Sequence, residues 1–230
     1  MTLQAVLFDA YGTLFDVHSV AACAEQCFPG QGAALSQRWR ERQIDYTRLV
    51  SMGGRYRPFW TLTLAALRHA AQGLGLALDA AVEASLMDTY RELGAHADSL
   101  AVLQALQQRG MPAGILSNGD PEMLAAAVRS AGFGPLLQHV ISVDAVQRYK
   151  PDPATYALGT AALGLPAQAV LFVSSNSWDA IGATWYGYTA LWVDRGAGPL
   201  EQLDTEPAHR GRSLLDVLAL LPPAPASRSS

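Results

Sequence analysis

Three segments of this chain place acids, amides or hydroxyls directly after a short apolar run. Asp9 follows Ala5-Val6-Leu7-Phe8 and precedes Gly12-Thr13, Ser117-Asn118 follows Ala113-Gly114-Ile115-Leu116, and Ser174 to Asp179 follows Val170-Leu171-Phe172-Val173. A fourth segment holds Lys150, the only lysine in a chain with sixteen Lys and Arg residues together. An ammonium is a compact donor whose geometry an arginine does not reproduce, and beside a carboxylate it favours the ionised, nucleophilic form. A lone Asp-x-x-Gly is usually a turn, and loop serines and asparagines usually satisfy nearby amides. Several such segments at equivalent places in successive elements point to one site.

The elements that would position them are legible from periodicity. Short runs rich in strand formers predict strands Ala5 to Phe8, Ala113 to Leu116, Val140 to Ser142, Val170 to Val173 and Thr189 to Val193, five in all. Helices are expected up to Gln108 and over Glu122 to Ala131, Ala154 to Leu163, Asp179 to Tyr186 and Leu214 to Leu221. This alternation predicts an α/β fold with a Rossmann-like parallel sheet. From Val17 to about His96 the pattern is helical, broken at Gly53-Gly54 and Gly73-Leu74-Gly75, which predicts an inserted all-helical cap domain. The expected organisation is a catalytic core of residues 1–15 and 98–221, a cap of residues 16–97, and a tail of residues 222–230 with the composition of a disordered end. In an open parallel sheet, ligands bind beyond the carboxyl ends of the strands, so the four segments would meet there.

Composition excludes several classes. Half the residues are hydrophobic and 16% are charged, yet no uninterrupted apolar run is long enough to cross a bilayer, so no membrane partner is expected. The first residues carry no basic leader, which predicts a cytoplasmic protein. A net charge of −4 without a basic, aromatic-interleaved face speaks against nucleic acid. Cys23 and Cys27 with five scattered histidines predict neither a disulfide nor a zinc site.

Asp9-Ala10-Tyr11-Gly12-Thr13-Leu14-Phe15-Asp16 resembles the nucleophile loop of the haloacid dehalogenase superfamily, and Ser117-Asn118-Gly119, Lys150-Pro151 and Ser174-Ser175-Asn176-Ser177-Trp178-Asp179 match its other motifs in order. Phosphatases of that superfamily place an acid two residues after the nucleophile, where this chain has Tyr11, and usually Gly-Asp where it has Ser174-Ser175-Asn176. An alkoxide leaving group wants a proton and a halide does not, so Tyr11 suits halide displacement. Loss of both acids removes magnesium ligands, and neither metal nor cofactor is expected. Ser175-Asn176-Ser177-Trp178-Asp179, together with Trp39-Arg40, Gln43 and Tyr46, is similar to the L-2-haloacid dehalogenase branch.

That resemblance implies hydrolysis of (S)-2-haloacids to (R)-2-hydroxy acids, with water and the haloacid as the small-molecule partners. Asp9 would attack the halogen-bearing carbon, invert it and form an ester on its own side chain. Asp179 would position or deprotonate the water that cleaves the ester, and Asn176 would help hold it. Lys150 would keep Asp9 ionised, Thr13 and Ser174 would orient its oxygens, and Ser117 would bind the substrate carboxylate. Arg40, Asn118 and Trp178 are the candidate donors for the departing halide, and Tyr11 and Phe59 would line the apolar side. Helical spacing puts Arg40 with Gln43, Ile44 and Thr47 on a face that can close over the core. Glu41, where relatives tend to have Gln, would bring a carboxylate beside that donor. The family likeness also suggests a homodimer, with Phe59-Trp60-Thr61-Leu62 as an apolar patch. A phosphatase would need magnesium and an acid in place of Tyr11. A Schiff-base phosphonate hydrolase is excluded by the absence of lysine from residues 16–97, and a non-catalytic scaffold would be expected to have lost a motif residue.

Overall fold

A computed structural model describes residues 2–222. The expectation of a disordered end covers residues 222–230, which apart from Pro222 lie outside the described residues.

The core is built on β1 (Ala5–Phe8), β2 (Ala113–Ser117), β3 (His139–Ser142), β4 (Val170–Ser174), β5 (Thr189–Val193) and β6 (His209–Gly211). All pair in parallel in the order β3-β2-β1-β4-β5-β6. Strands β1, β2 and β4 are buried at every residue, the signature of a parallel sheet covered on both faces, and that is why they read as continuous apolar runs. The expectation of five strands is corrected to six among the described residues. The sixth is only His209-Arg210-Gly211, polar and at the sheet edge, where it carries no apolar pattern. Arg210 is held there by Asp194 at 2.6 Å and by the Trp192 ring at 4.5 Å.

Core helices α5 (Ser99–Gln108), α6 (Pro121–Ser130), α7 (Pro153–Leu163) and α8 (Ser177–Tyr186) connect the strands, and a short α9 (Val217–Leu220) follows β6. Between β1 and α5 the chain forms α1 (His18–Cys27), α2 (Gly32–Met52), α3 (Phe59–Gly73) and α4 (Ala80–Arg91), an all-helical cap. It leaves and returns by adjacent segments: Asp16 N–H donates to Gly94 O at 2.7 Å, and His96 N–H to Leu14 O at 2.9 Å. Helix α2 buries Leu35, Trp39, Gln43 and Thr47, one residue per turn, and packs on α3 and α1. Trp39 Nε1 there donates to Thr63 O at 2.7 Å. Phe59 and Leu62 are buried in the chain's own core, so the apolar patch expected for self-association is spent on folding instead.

No helix among the described residues is long and apolar enough to cross a membrane. Cys23 and Cys27 are free thiols.

Candidate active site

Strands β1, β2 and β3 step one way across the sheet, and β4, β5 and β6 step the other way from β1. The crevice between β1 and β4 is therefore the topological switch point, where open parallel sheets bind ligands. Asp9 continues β1, its N–H donating to Val173 O at 2.9 Å. The nucleophile loop then turns at Gly12, whose φ of +87° L-residues with a side chain rarely adopt.

Both carboxylate oxygens of Asp9 are held. Oδ1 accepts from Lys150 Nζ at 3.1 Å, and Oδ2 accepts from Asn176 Nδ2 at 2.8 Å and Thr13 Oγ1 at 3.2 Å. The direction of the Thr13 bond follows from its second one, since the same hydroxyl accepts Ser175 N–H at 2.9 Å. Asn176 is oriented likewise: its Oδ1 accepts from Arg40 at 3.4 Å, which leaves the amino end for Asp9. Ser174 accepts Asn176 N–H at 3.1 Å, so the expectation that it orients Asp9 directly is corrected. It shapes the loop that carries Asn176.

Lys150 is 1% exposed and bridges Asp9 to Asp179, the latter at 3.0 Å. Burial alone would lower its ammonium, but Asp179 and Asp9 outweigh that and hold it above the ordinary lysine value. Asp179 is fully buried, and burial pushes it up to about 6, against the pull of Lys150 and with the charge of Asp9 adding to the rise. Its other oxygen accepts from Tyr156 Oη at 2.7 Å. Gly182 makes room for that bond, because a Cβ there would lie 2.5 Å from the Tyr156 hydroxyl.

The wall over Asp9 combines both lobes. A cavity of about 20 Å³ is lined by Asp9, Tyr11, Arg40, Phe59, Ser117, Asn118, Asn176 and Trp178, with Ile44 and Thr47. Lys150, Thr13, Ser174 and Asp179 are not in that wall but lie behind it. Tyr11 stacks on Phe59 with centroids 5.9 Å apart. The Arg40 guanidinium donates to Gln43 Oε1 at 2.9 Å and to Tyr11 O at 3.3 Å, so it reaches the nucleophile loop from the cap. Glu41 points elsewhere: it is exposed and accepts from Gln37 at 2.9 Å, which corrects the expectation of a carboxylate beside Arg40. Asn118 Oδ1 accepts Lys150 N–H at 3.0 Å, leaving its amino group as the donor end, and Ser117 Oγ accepts Gly119 N–H at 3.1 Å. Trp178 carries the Arg48 guanidinium at 5.1 Å and separates this small cavity from an open one of about 660 Å³.

Sequence reasoning missed Tyr156 and Tyr90. Tyr156 sits on the buried face of α7, where a tyrosine reads as packing. Tyr90 Oη donates to Gln43 Oε1 at 3.0 Å and lies 3.3 Å from Arg40, closing a cap-side network that has no local motif.

The donor set does not fit magnesium. Asp9 and Asp179 spend oxygens on the Lys150 ammonium, and Tyr11 and Asn176 bring no further carboxylate. Among the described residues no group of three or more His, Cys, Asp or Glu is placed to hold a metal ion.

Comparison with known proteins places this arrangement. The haloacid dehalogenase-like hydrolase family matches residues 3–187. An (S)-2-haloacid dehalogenase of Pseudomonas sp. (strain YL) is 42% identical over 95% of this chain and 94% of its own length. A crystallised L-2-haloacid dehalogenase superposes with a TM-score of 0.94 at 53% identity, covering 96% of this chain and 99% of the other. The Xanthobacter autotrophicus L-2-haloacid dehalogenase with chloropropionic acid covalently bound superposes with a TM-score of 0.88 at 36% identity, over 95% of this chain and 98% of the other. The chain belongs to the haloacid dehalogenase-like hydrolase family, in its L-2-haloacid dehalogenase branch.

Proposed function

We propose that this chain hydrolyses short (S)-2-haloacids to (R)-2-hydroxy acids and halide without a metal. The observation that carries the reading is a buried carboxylate, Asp9, held by an ammonium, a hydroxyl and an amide at the floor of a small, mainly apolar cavity whose roof contains Arg40. The covalent adduct of the Xanthobacter enzyme supports an ester intermediate.

In the first step Asp9 attacks C2 of the substrate from the side opposite the halogen, forming a C–O bond as the carbon–halogen bond breaks. Configuration inverts. The halide leaves as an anion and needs no proton, so the neutral phenol of Tyr11, which burial holds well above the ordinary tyrosine value, is no handicap. Arg40, Asn118 and Trp178 are assigned to the halide, Ser117 to the substrate carboxylate, and Phe59 with Tyr11 to the apolar wall. Water then attacks the ester carbonyl of Asp9 and Asp179 accepts its proton; as the acyl–oxygen bond breaks, Asp179 returns that proton to the departing alkoxide, which leaves as the hydroxyl of the 2-hydroxy acid, and the Asp9 carboxyl loses its own proton to solvent and is a carboxylate again. Thr13, Lys150, Ser174 and Asn176 hold the geometry of both steps.

Only ionised Asp179 can take a proton. Its value of about 6 therefore predicts a rate that rises with pH through that region and is lost below it. Tyr156→Phe removes a bond that lowers Asp179, so the acid limb should move to higher pH, with kcat down roughly tenfold. A pH–rate profile of the variant checks both.

The direct test is release of halide and lactate from each enantiomer of 2-chloropropionate, in EDTA and with magnesium, with a phosphate monoester as control. D-lactate from the L-substrate in EDTA is the expected result; magnesium-dependent phosphate release without dehalogenation would overturn the reading. We further propose a cap of residues 16–97 on a core of residues 1–15 and 98–221, a cytoplasmic location, and a homodimer, checked by light scattering on the eluting protein.

A further inference from the structure

Asp120 ends the core loop Ser117-Asn118-Gly119-Asp120 and stands at the N-cap of α6. An aspartate in that position ordinarily accepts the first free N–H groups of its own helix. Its side chain makes no such bond. Instead Oδ1 accepts the N–H of Phe59 and Oδ2 that of Trp60, both at 2.7 Å, across the cleft between core and cap. Helix α3 starts there behind Pro58, which has no side-chain cap bond to offer, so its N-terminus is capped from the other lobe. Both bonds join an acid to the positive end of a helix, the strong kind. Phe59 lies in the cavity wall on the cap side, and Ser117 and Asn118 lie in it on the core side.

We propose that Asp120 is a positioning residue for dehalogenation: it docks the first turn of α3 on the core loop, so that Phe59, Ser117 and Asn118 form one closed cavity over Asp9. The proposal rests on the dehalogenase reading of the site. The closed cavity of about 20 Å³ has room for roughly one water. A haloacid enters only when the walls part, and the docking bonds are recovered as they close again. The bonds also touch no reacting atom, so their effect falls on the population of the closed form and not on the chemistry within it.

The surroundings make this docking sensitive to acid. Burial pushes the Asp120 carboxyl above its usual value, against the pull of the Trp60 and Phe59 N–H groups, and the charges of Asp144 and Glu122 add to the rise. Tyr56, Tyr149 and Tyr11 also lie within electrostatic range, all of them phenols that burial keeps protonated. Arg91 and Arg129 line the adjoining groove with Asp120. The ionised carboxylate accepts both N–H groups. Protonation turns one oxygen into a donor, so the docking weakens as pH falls.

The test compares wild type, Asp120→Asn and Asp120→Ala for KM and kcat with L-2-chloropropionate between about pH 5 and pH 9. Hydrogen exchange of the Phe59 and Trp60 amides in substrate-free protein is measured alongside. Asp120→Ala should raise KM roughly tenfold and Asp120→Asn about threefold, with kcat changed by less than about threefold, because saturating substrate restores closure. Both amides should exchange faster in the alanine variant, and the acid rise in KM seen in wild type should vanish in Asp120→Asn. Unchanged exchange in Asp120→Ala would overturn the docking. Faster exchange or lower thermal stability with KM and its pH dependence unchanged would make Asp120 a helix cap only, and would overturn the positioning role. If wild type releases no halide, the functional reading fails by itself, while the exchange measurement still decides the docking.

Discussion

Replacing Asp9 by Ala is expected to lower kcat for haloacid hydrolysis by at least about 10⁴-fold while leaving the protein folded. Two features of the site separate those effects. Asp9 is the carboxylate in the cavity wall; Asp179 lies behind Lys150 and does not line it, so no second nucleophile stands in the same place. The fold tolerates the loss because Lys150, among the described residues the only cation bonded to Asp9 Oδ1, keeps Asp179 as a partner at 3.0 Å. The charge left behind is still paired, and thermal unfolding should change little. Steady-state halide release and a melting curve of the variant together check the expectation; activity within about tenfold of wild type would mean that water attacks the substrate without an ester.

Lys150→Met should behave oppositely, losing stability and activity together. Its ammonium sits 1% exposed between two buried carboxylates, and among the described residues no other cation bonds either Asp9 Oδ1 or Asp179 Oδ2. Breaking a buried pair from one side typically costs about 3–5 kcal/mol, because the remaining charge is uncompensated. For a chain of this size that corresponds to a melting temperature lower by roughly 6–20 °C. The deficit should shrink in acid. Without Lys150 the folded-state value of Asp179, already raised by burial, rises further. A carboxyl that binds its proton more tightly folded than unfolded gains relative stability as pH falls through that raised value. Melting curves of wild type and variant on either side of pH 6 measure the difference; a deficit independent of pH would mean that the ammonium acts through packing alone.

Most of this site is legible in sequence because its parts come directly after buried strands. Phe8, Leu116 and Val173 end apolar runs that can only be strands of a covered sheet, and the residues after each run must emerge at the same edge. Motif order does the rest for Asp9, Lys150 and Asp179. The parts that escaped depend on partners far along the chain. Tyr156 is an ordinary helix tyrosine until Asp179 is found beneath it, and Asp120 looks like the cap of its own helix until its oxygens are found on α3. Glu41 and Arg40 are neighbours in sequence, yet about 100° of helix rotation sends one to solvent and the other to the nucleophile loop. Ser174 and Thr13 carry the same hydroxyl, but only the second reaches Asp9. Strand β6 escaped because three polar residues at a sheet edge hold no periodic signal.

The central claim, an ester formed and hydrolysed on Asp9, is tested most directly by a single turnover of L-2-chloropropionate in ¹⁸O-water with enzyme in excess, followed by mass spectrometry of lactate and of the peptide containing Asp9. Attack of water on the Asp9 carbonyl predicts unlabelled lactate and ¹⁸O in the Asp9 carboxylate. Labelled lactate with an unlabelled Asp9 peptide would mean that water displaces the halide directly, and would contradict the account.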